Sequence, residues 1–246
     1  MPTIKGSADF KNVSGTSMII DADKYGDNGD LSYGATNVFF RQVRNLVIDT
    51  TDVPGTVYGI HWPSSQATTM QNVVFQLSEA PGNQHTGIFM EEGSGGFLGD
   101  LVFYGGQYGA QFGNQQYTSR NLTFVNCQTA ILQLWDWFWV YKDITVVNCD
   151  VGINMTATSF GSAVLLDSFF YNTSLGIVNN RSVSNPGTAP GQGSLVMENV
   201  GFSNVDRIFQ GVNGSLVRAS GYNGTFVTGK ILVSLNPKSR QWTWLT

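Results

Sequence analysis

Two stretches, Asn121-Leu-Thr-Phe-Val-Asn-Cys-Gln-Thr-Ala-Ile131 and Asp143-Ile-Thr-Val-Val-Asn-Cys-Asp-Val-Gly-Ile153, decide the fold, because they are one phrase written twice. Each opens on Asn or Asp, places apolar residues one and three positions later, carries Asn-Cys at five and six, and closes on a small residue followed by Ile. The opening pattern recurs at Asn45, Asn72, Asp100, Asn121, Asp143, Asp167 and Asn199, at intervals of 27, 28, 21, 22, 24 and 32 residues. The closing pattern recurs at Gly59-Ile60, Gly87-Ile88, Gly109-Ala110, Ala130-Ile131, Gly152-Ile153 and Gly176-Ile177. From Asp100 onward the two patterns stay nine residues apart, ending at Asn199 and Ile208. Chance does not hold such a register, and a fixed period is the signature of a repeat architecture.

Stacking the segments produces columns. Three residues beyond each anchor stand Ile48, Phe75, Phe103, Phe124, Val146, Phe170 and Phe202, and one residue beyond stand Leu46, Val73, Leu101, Leu122, Ile144, Ser168 and Val200. Apolar residues at period two face one side of a strand. The Gly-Ile phrase supplies a second strand, and a third is expected before the anchor, as at 38–43 or 164–166. Three short strands in a coil of about 22 residues predict a right-handed, single-stranded parallel β-helix with variable insertions at one corner. Residues 1–246 read as one partial β-helix domain with about seven recognisable coils. A recurrent Asn five residues beyond the anchor, at Asn126, Asn148, Asn172 and Asn204, predicts a hydrogen-bonded asparagine ladder at a sharp turn. A β-sandwich does not repeat residue identity in columns.

Composition agrees. Charged residues are 12% of the chain, about half the usual share of roughly 25%. Glycine numbers 29, asparagine 20, aspartate 13 and glutamate only 4, so turn formers abound and helix formers are scarce. That argues against a helical bundle. A net charge of −4 with 13 dispersed Lys and Arg offers no basic face, so nucleic acid is not an expected partner. No apolar run approaches the ~18 residues of a membrane helix, so neither is a membrane. Residues after Met1-Pro2 read as strand, with neither a signal peptide nor a cap. Two histidines and two cysteines at scattered positions suggest no metal site and no cofactor. His61 and His85 read as surface or loop residues. Cys127 and Cys149 occupy one column in adjacent coils, where a disulfide and a pair of buried stacked thiols are both open. The segment 224–230 nearly spells a phosphate-binding loop, but Ile231 stands where Ser or Thr is required, and it reads as a turn.

The stretch Gln133-Leu-Trp-Asp-Trp-Phe-Trp139 is the most unusual in the chain, with Trp135, Trp137 and Trp139 on one strand face or lining a bend. Indole rings stack on sugar rings and amides hydrogen-bond hydroxyls, and Gln107, Gln111, Gln115, Gln116, Gln128 and Gln133 cluster nearby. The tryptophans either plug a wide corner as core or line a carbohydrate groove. Glycoside hydrolysis needs a carboxylic acid and usually a second carboxylate. The glutamates are Glu79, Glu91, Glu92 and Glu198; Glu91 is placed to project from a loop, and Asp136 lies inside the tryptophan block. Asp100, Asp143 and Asp167 read as turn residues of the repeat. Seven Asn-x-Ser/Thr sequons, at Asn12, Asn121, Asn154, Asn172, Asn180, Asn213 and Asn223, suit a secreted, extracellular glycoprotein.

The runs Leu31–Asp49, Gly96–Gly106 and Gln115–Ile131, continued through Trp135-Asp-Trp137 and Lys142–Cys149, resemble the fungal exo-β-1,3-glucanases (laminarinases) of glycoside hydrolase family fifty-five. The resemblance implies a pectate-lyase-like fold of two side-by-side β-helices with the glucan cleft between them. It implies an inverting exo-hydrolase releasing glucose or a disaccharide from β-1,3-glucan such as laminarin. This chain then corresponds to the first β-helix. The family's opening cap segment and its second β-helix, with the general-acid Glu, are not matched, so the isolated chain is expected to be inactive. Phe138 and Val140 stand where the family suggests a small residue and a hydroxyl. The resemblance makes Gln115 or Gln116 the cleft or relay position; no catalytic residue is otherwise assigned. Substrate-binding candidates are Gln133, Trp135, Asp136, Trp137 and Glu91. Rival readings are a pectate lyase or galacturonase, whose acidic clusters are not found, and a non-catalytic β-helical binding or structural protein.

Overall fold

In the computed structural model, which describes residues 1–10, 17–156, 159–179, 194–211, 216–217 and 226–228, the chain winds into a parallel β-solenoid. The seven anchors mark six turns, and one short 3-10 turn, Ala35–Asn37, is the helical content of the described residues. Each coil contributes to three sheets. The first contains 42–44, 69–71, 97–99, 118–120, 140–142, 164–166 and 196–198, in register. The second begins just past each anchor, as 46–49, 73–76, 101–104 and 122–125, and continues through Val146, Phe170 and Phe202. The third carries the Gly-Ile phrase, from Ser17–Asp21 through Thr56–His61 and Gln84–Met90 to Val151–Met155 and beyond. Corners are so tight that successive strands fuse: Tyr108–Val125 runs 18 residues and Thr129–Val147 runs 19. Two antiparallel pairs flank the last anchor, 195–197 with 226–228 and 209–210 with 216–217. Thus 226–228, read from sequence as turn, is strand. The expected strand at 38–43 starts only at Gln42, because Phe40 adopts φ 54° and breaks the extended run.

The Asn/Asp columns are corners in the left-handed region. All seven anchors have φ between 49° and 59°, as do Asn126, Asn148, Asn172 and Asn204. Asn and Asp enter this conformation far more readily than branched residues, which is why the sequence repeats them there. Their side chains also link the coils. Asn172 donates to Asn148 at 2.9 Å, Asn148 to Asn126 at 3.4 Å, and Asn126 to the Glu79 carboxylate at 3.1 Å. Asn204 donates to Asn172, so every donor points the same way and the chain ends on an acceptor-only group. At the anchor corner Asn72 donates to Asn45, Asn121 to Asp100 and Asn199 to Asp167, at 2.7–2.8 Å. Where Asp143 and Asp167 follow one another neither can donate, and Lys142 ion-pairs with both.

The interior explains the second phrase. Phe75, Phe103 and Phe124 stack at 4.7 and 4.6 Å with interplanar angles of 2° and 7°, and Phe170 stacks on Phe202 at 5.0 Å. A Cβ on Gly87 would lie 2.7 Å from the Phe103 ring and 2.5 Å from the Gly109 carbonyl; on Gly109, 2.4 Å from Phe124; on Gly152, 2.4 Å from Phe170. Glycine therefore recurs before Ile because the ring of the next coil occupies its side-chain space. In the one coil that reads Ala130, the next coil offers Val146 at the ring position. Cys127 and Cys149 are free, buried thiols; their proximity and burial push the Cys127 pKa well up.

Candidate functional site

The tryptophan stretch spans the corner between the third and first sheets, and a register shift between Phe112 and Gly113 lets it bend there. The bend separates the rings. Trp139 is fully buried between Phe112 and Tyr117, at 5.1 and 4.9 Å, and donates to Ser119 Oγ at 3.0 Å. Trp137 projects outward with 62% of its surface exposed, and Phe138 beside it with 44%. Trp139 is thus core, while Trp137 is turned to the surface. Trp135 is half-buried, and its indole N–H donates to the main-chain carbonyl of Glu91. Gly113 makes this possible, since a Cβ there would lie 2.6 Å from the indole Cδ1 and Nε1.

Glu91 opens the loop 91–95, which is held from beneath. Asn114, fully buried, accepts from Gly95 N–H at 2.8 Å and donates to Ser64 O at 3.1 Å, while Tyr117 OH contacts Ser64 Oγ at 3.1 Å and accepts from Trp62 Nε1 at 3.2 Å. The Glu91 side chain meets His61. Asp21, His61 and Phe89 occupy one outward column of the third sheet. Outward residues are normally wet, but segment 22–41 folds over this one and leaves the His61 side chain 0% exposed. Its Nδ1 lies 2.7 Å from Asp21 Oδ1, and its Nε2 lies 2.8 and 3.0 Å from the two Glu91 oxygens. Tyr25 OH donates to Glu91 Oε1 at 2.6 Å. The imidazole is stacked between Tyr25 at 5.2 Å and Phe89 at 5.5 Å. Burial pulls the His61 pKa down, but the hydrogen bonds and charges of Glu91 and Asp21 outweigh it and hold it above the ordinary 6.5. Burial, aided by Glu91, pushes the Tyr25 phenol well up.

The other sequence-derived candidates divide. Gln116 is exposed and paired in register with Phe138, so it belongs to the outward strip; Gln115 is half-buried. Gln133 is fully buried, donating to Trp135 O at 3.1 Å and accepting from Tyr141 OH, so it braces the bend from inside. Asp136 is buried as well, accepting from Gly161 and Ser162 N–H at 2.9 and 3.0 Å. It ties this coil to the next and does not face solvent. Asp21, Tyr25 and His61 were not found from sequence. They lie 40, 66 and 30 residues from the partners they meet, with no motif between them. The one available signal was the position of His61 immediately after Gly59-Ile60, which fixes it outward. His85, also read as a surface residue, is buried: Ser78 N–H points at its Nδ1 at 3.3 Å and its Nε2 donates to Val53 O at 3.0 Å, a neutral tautomer whose pKa burial lowers. Among the described residues no group of three or more His, Cys, Asp or Glu is placed to hold a metal ion. A polar hollow lined by Asp150, Asn172, Ser174 and Asp206 lies at the asparagine-ladder corner.

The exposed Trp137 and Phe138 rings and the Gln116 amide beside them form a surface chemically suited to a sugar chain. A protein of Arthroderma benhamiae named "Probable glucan endo-1,3-beta-glucosidase" is 42% identical over 231 residues, covering 90% of this chain and 25% of that protein. A glucan 1,3-beta-glucosidase of Cochliobolus carbonum is 38% identical over 231 residues, covering 90% and 28%. A non-secreted LysM effector of Penicillium expansum is 36% identical over 242 residues, covering 90% and 18%. The chain thus spans about a quarter of the length of the curated glucosidases that it matches. Residues 1–154 match the family model described as rhamnogalacturonase A/epimerase, pectate lyase-like, and with its parallel solenoid the chain belongs to that family.

Proposed function

We propose that this chain forms one wall of the substrate cleft of a secreted, inverting exo-β-1,3-glucanase. The observation that carries the reading is the outward Trp137–Phe138 platform, fixed on a rigid strand beside Gln116 and the Glu91–Trp135 edge. Aromatic faces stack on the apolar faces of pyranose rings, and the neighbouring Gln116 amide can hydrogen-bond hydroxyls. The glucosidase names of two relatives support glucan over galacturonan as the polymer. Inversion needs one carboxylic acid to protonate the leaving oxygen and a base-activated water on the opposite face. Two of the four glutamates are already engaged: Glu79 accepts from Asn126 at the end of the ladder, and Glu91 accepts from Tyr25 and contacts His61 Nε2 through both oxygens. We therefore assign the proton donor to a second β-helix outside these 246 residues, and the isolated chain binds glucan without hydrolysing it.

The test is incubation of the chain with laminarin and, separately, polygalacturonate, with binding and released products both measured. Weak laminarin binding without sugar release is expected. Glucose or disaccharide release would overturn the division of labour, oligosaccharides of mixed length would replace exo by endo cleavage, and preference for polygalacturonate would replace the substrate.

A further inference from the structure

The strongest unassigned feature is the Asp21–His61–Glu91 chain of contacts, because it joins the segment 22–41 to the loop that holds Trp135. We propose that His61 is a positioning residue for the sugar-facing wall: as an imidazolium it clamps Asp21 to Glu91 and thereby fixes the Glu91 carbonyl that receives the Trp135 indole. The inference rests on the glucan reading only in calling this edge sugar-facing; the coupling itself does not.

With both carboxyl groups ionised, the geometry calls for the charged form. Each ring nitrogen lies within 3.0 Å of a carboxylate oxygen, Nδ1 of Asp21 and Nε2 of Glu91. A neutral imidazole carries a single N–H, so one of the two contacts would set lone pair against lone pair. Only the imidazolium donates at both ends. The groups around it leave no substitute cation. Tyr25, from the overlying segment, already donates to Glu91 Oε1. Tyr58, from the neighbouring strand, has a phenol held up by burial and by the Glu91 charge. Asp23 accepts from Tyr33 N–H, and the Arg41 guanidinium donates to Ala22 O and lies 5.8 Å from the Tyr33 ring. Among the described residues no Lys or Arg ion-pairs with Asp21 or Glu91. When His61 loses its proton, one of these contacts becomes repulsive, and the proposal is that the strain passes through the Glu91 side chain to its own main chain. That backbone carries the acceptor of Trp135.

A merely structural histidine would leave the Trp135 environment independent of pH while the chain stays folded. Two-dimensional NMR of the indole N–H groups separates the cases, with the Trp135 cross-peak identified by its loss in Trp135→Phe. The wild-type cross-peak is expected to shift with a midpoint above pH 6.5, together with the His61 ring signals. In His61→Gln the shift disappears between pH 5 and 9. In Glu91→Gln, which keeps the histidine and removes one partner, both midpoints move to lower pH together. A wild-type cross-peak that ignores pH, a shift that survives in His61→Gln, or a Trp135 midpoint that stays put while that of His61 moves would each overturn the proposal. Should His61→Gln not fold, the Glu91→Gln comparison decides alone. Laminarin affinity measured over the same range is expected to weaken several-fold above the midpoint. A chain that binds no laminarin at any pH, yet shows the coupled NMR midpoints, overturns the glucan reading and leaves the clamp standing.

Discussion

The interior of the solenoid and the strip outside it at Glu91 are built by opposite rules. Inside, each residue meets its own counterpart one coil away, so Phe75 touches Phe103 and Phe103 touches Phe124. Outside, Asp21 and His61 are counterparts one coil apart, but Tyr25, Glu91 and Trp135 are not, and they join that pair because a covering segment and a glycine-rich loop bring them there. Repetition gives the first region its stability, since a stack of identical contacts is nearest-neighbour and additive. The second region departs from the repeat at Tyr25, Glu91 and Trp135, and such departures are where function is expected.

The contrast is broken most severely by emptying the stack. Phe103 is fully buried with a ring on either side, so Phe103→Ala should cost about 3–5 kcal/mol, the usual range for a buried aromatic. Urea denaturation would measure it. A loss under about 1 kcal/mol would mean that the rings are not a continuous core.

A finer test uses the one coil that lacks the pairing of Gly with Phe. Val146→Phe restores the ring opposite Ala130 and should lose roughly 1–3 kcal/mol to overpacking. Adding Ala130→Gly should recover most of that, giving a coupling energy above about 1 kcal/mol in a double-mutant cycle. Additive losses would show that the Gly-Ile phrase answers to something other than the facing ring.

This pairing also marks how far the sequence could be read. The anchors, the Phe column and the Asn126–Asn204 column were legible because each residue type is dictated by a local demand, a left-handed corner or a stacked ring, repeated in every coil. The Trp stretch was half legible. Alternation at 135, 137 and 139 gives one face on a straight strand, but the register shift at Gly113 turns Trp139 inward and Trp137 outward. Gln133 and Asp136 looked like sugar ligands because the type of a polar residue does not reveal whether its partners are solvent or main chain. The burial of His61 and its contact with Tyr25 were illegible, since they depend on where segment 22–41 lies, and that segment follows no period. The Gln241–Thr246 end, which carries the last two tryptophans, lies outside the described residues.

The two buried histidines sharpen the comparison through pH. His61 has a raised pKa, so its stabilising contribution is present below 6.5, the unfolded value, and fades as pH rises through the higher folded value. His85 has a lowered pKa, so its contribution is complete above 6.5 and fades as pH falls toward the lower folded value. Urea midpoints across pH 5–9 should lose their alkaline slope in His61→Gln and their acid slope in His85→Gln. A slope that survives its own substitution assigns that titration elsewhere.

The smallest effect on stability, and the most telling for function, is expected at Trp137. Its ring is 62% exposed, so Trp137→Ala should change stability by less than about 0.5 kcal/mol, as surface substitutions do. If the ring is the stacking platform, the same substitution should abolish measurable laminarin binding, because stacking on one wall supplies most of the small contact area. Trp139→Ala two residues away should do the reverse, unfolding the coil by about 3–5 kcal/mol through loss of a fully buried ring. Paired urea and affinity measurements on the two variants therefore read the bend directly. A Trp137→Ala chain that is stable and still binds laminarin would remove the platform from the site. A strongly destabilised one would show that the exposed ring has a packing partner, and the outward strip would have to be sought at Phe138 and Gln116 alone.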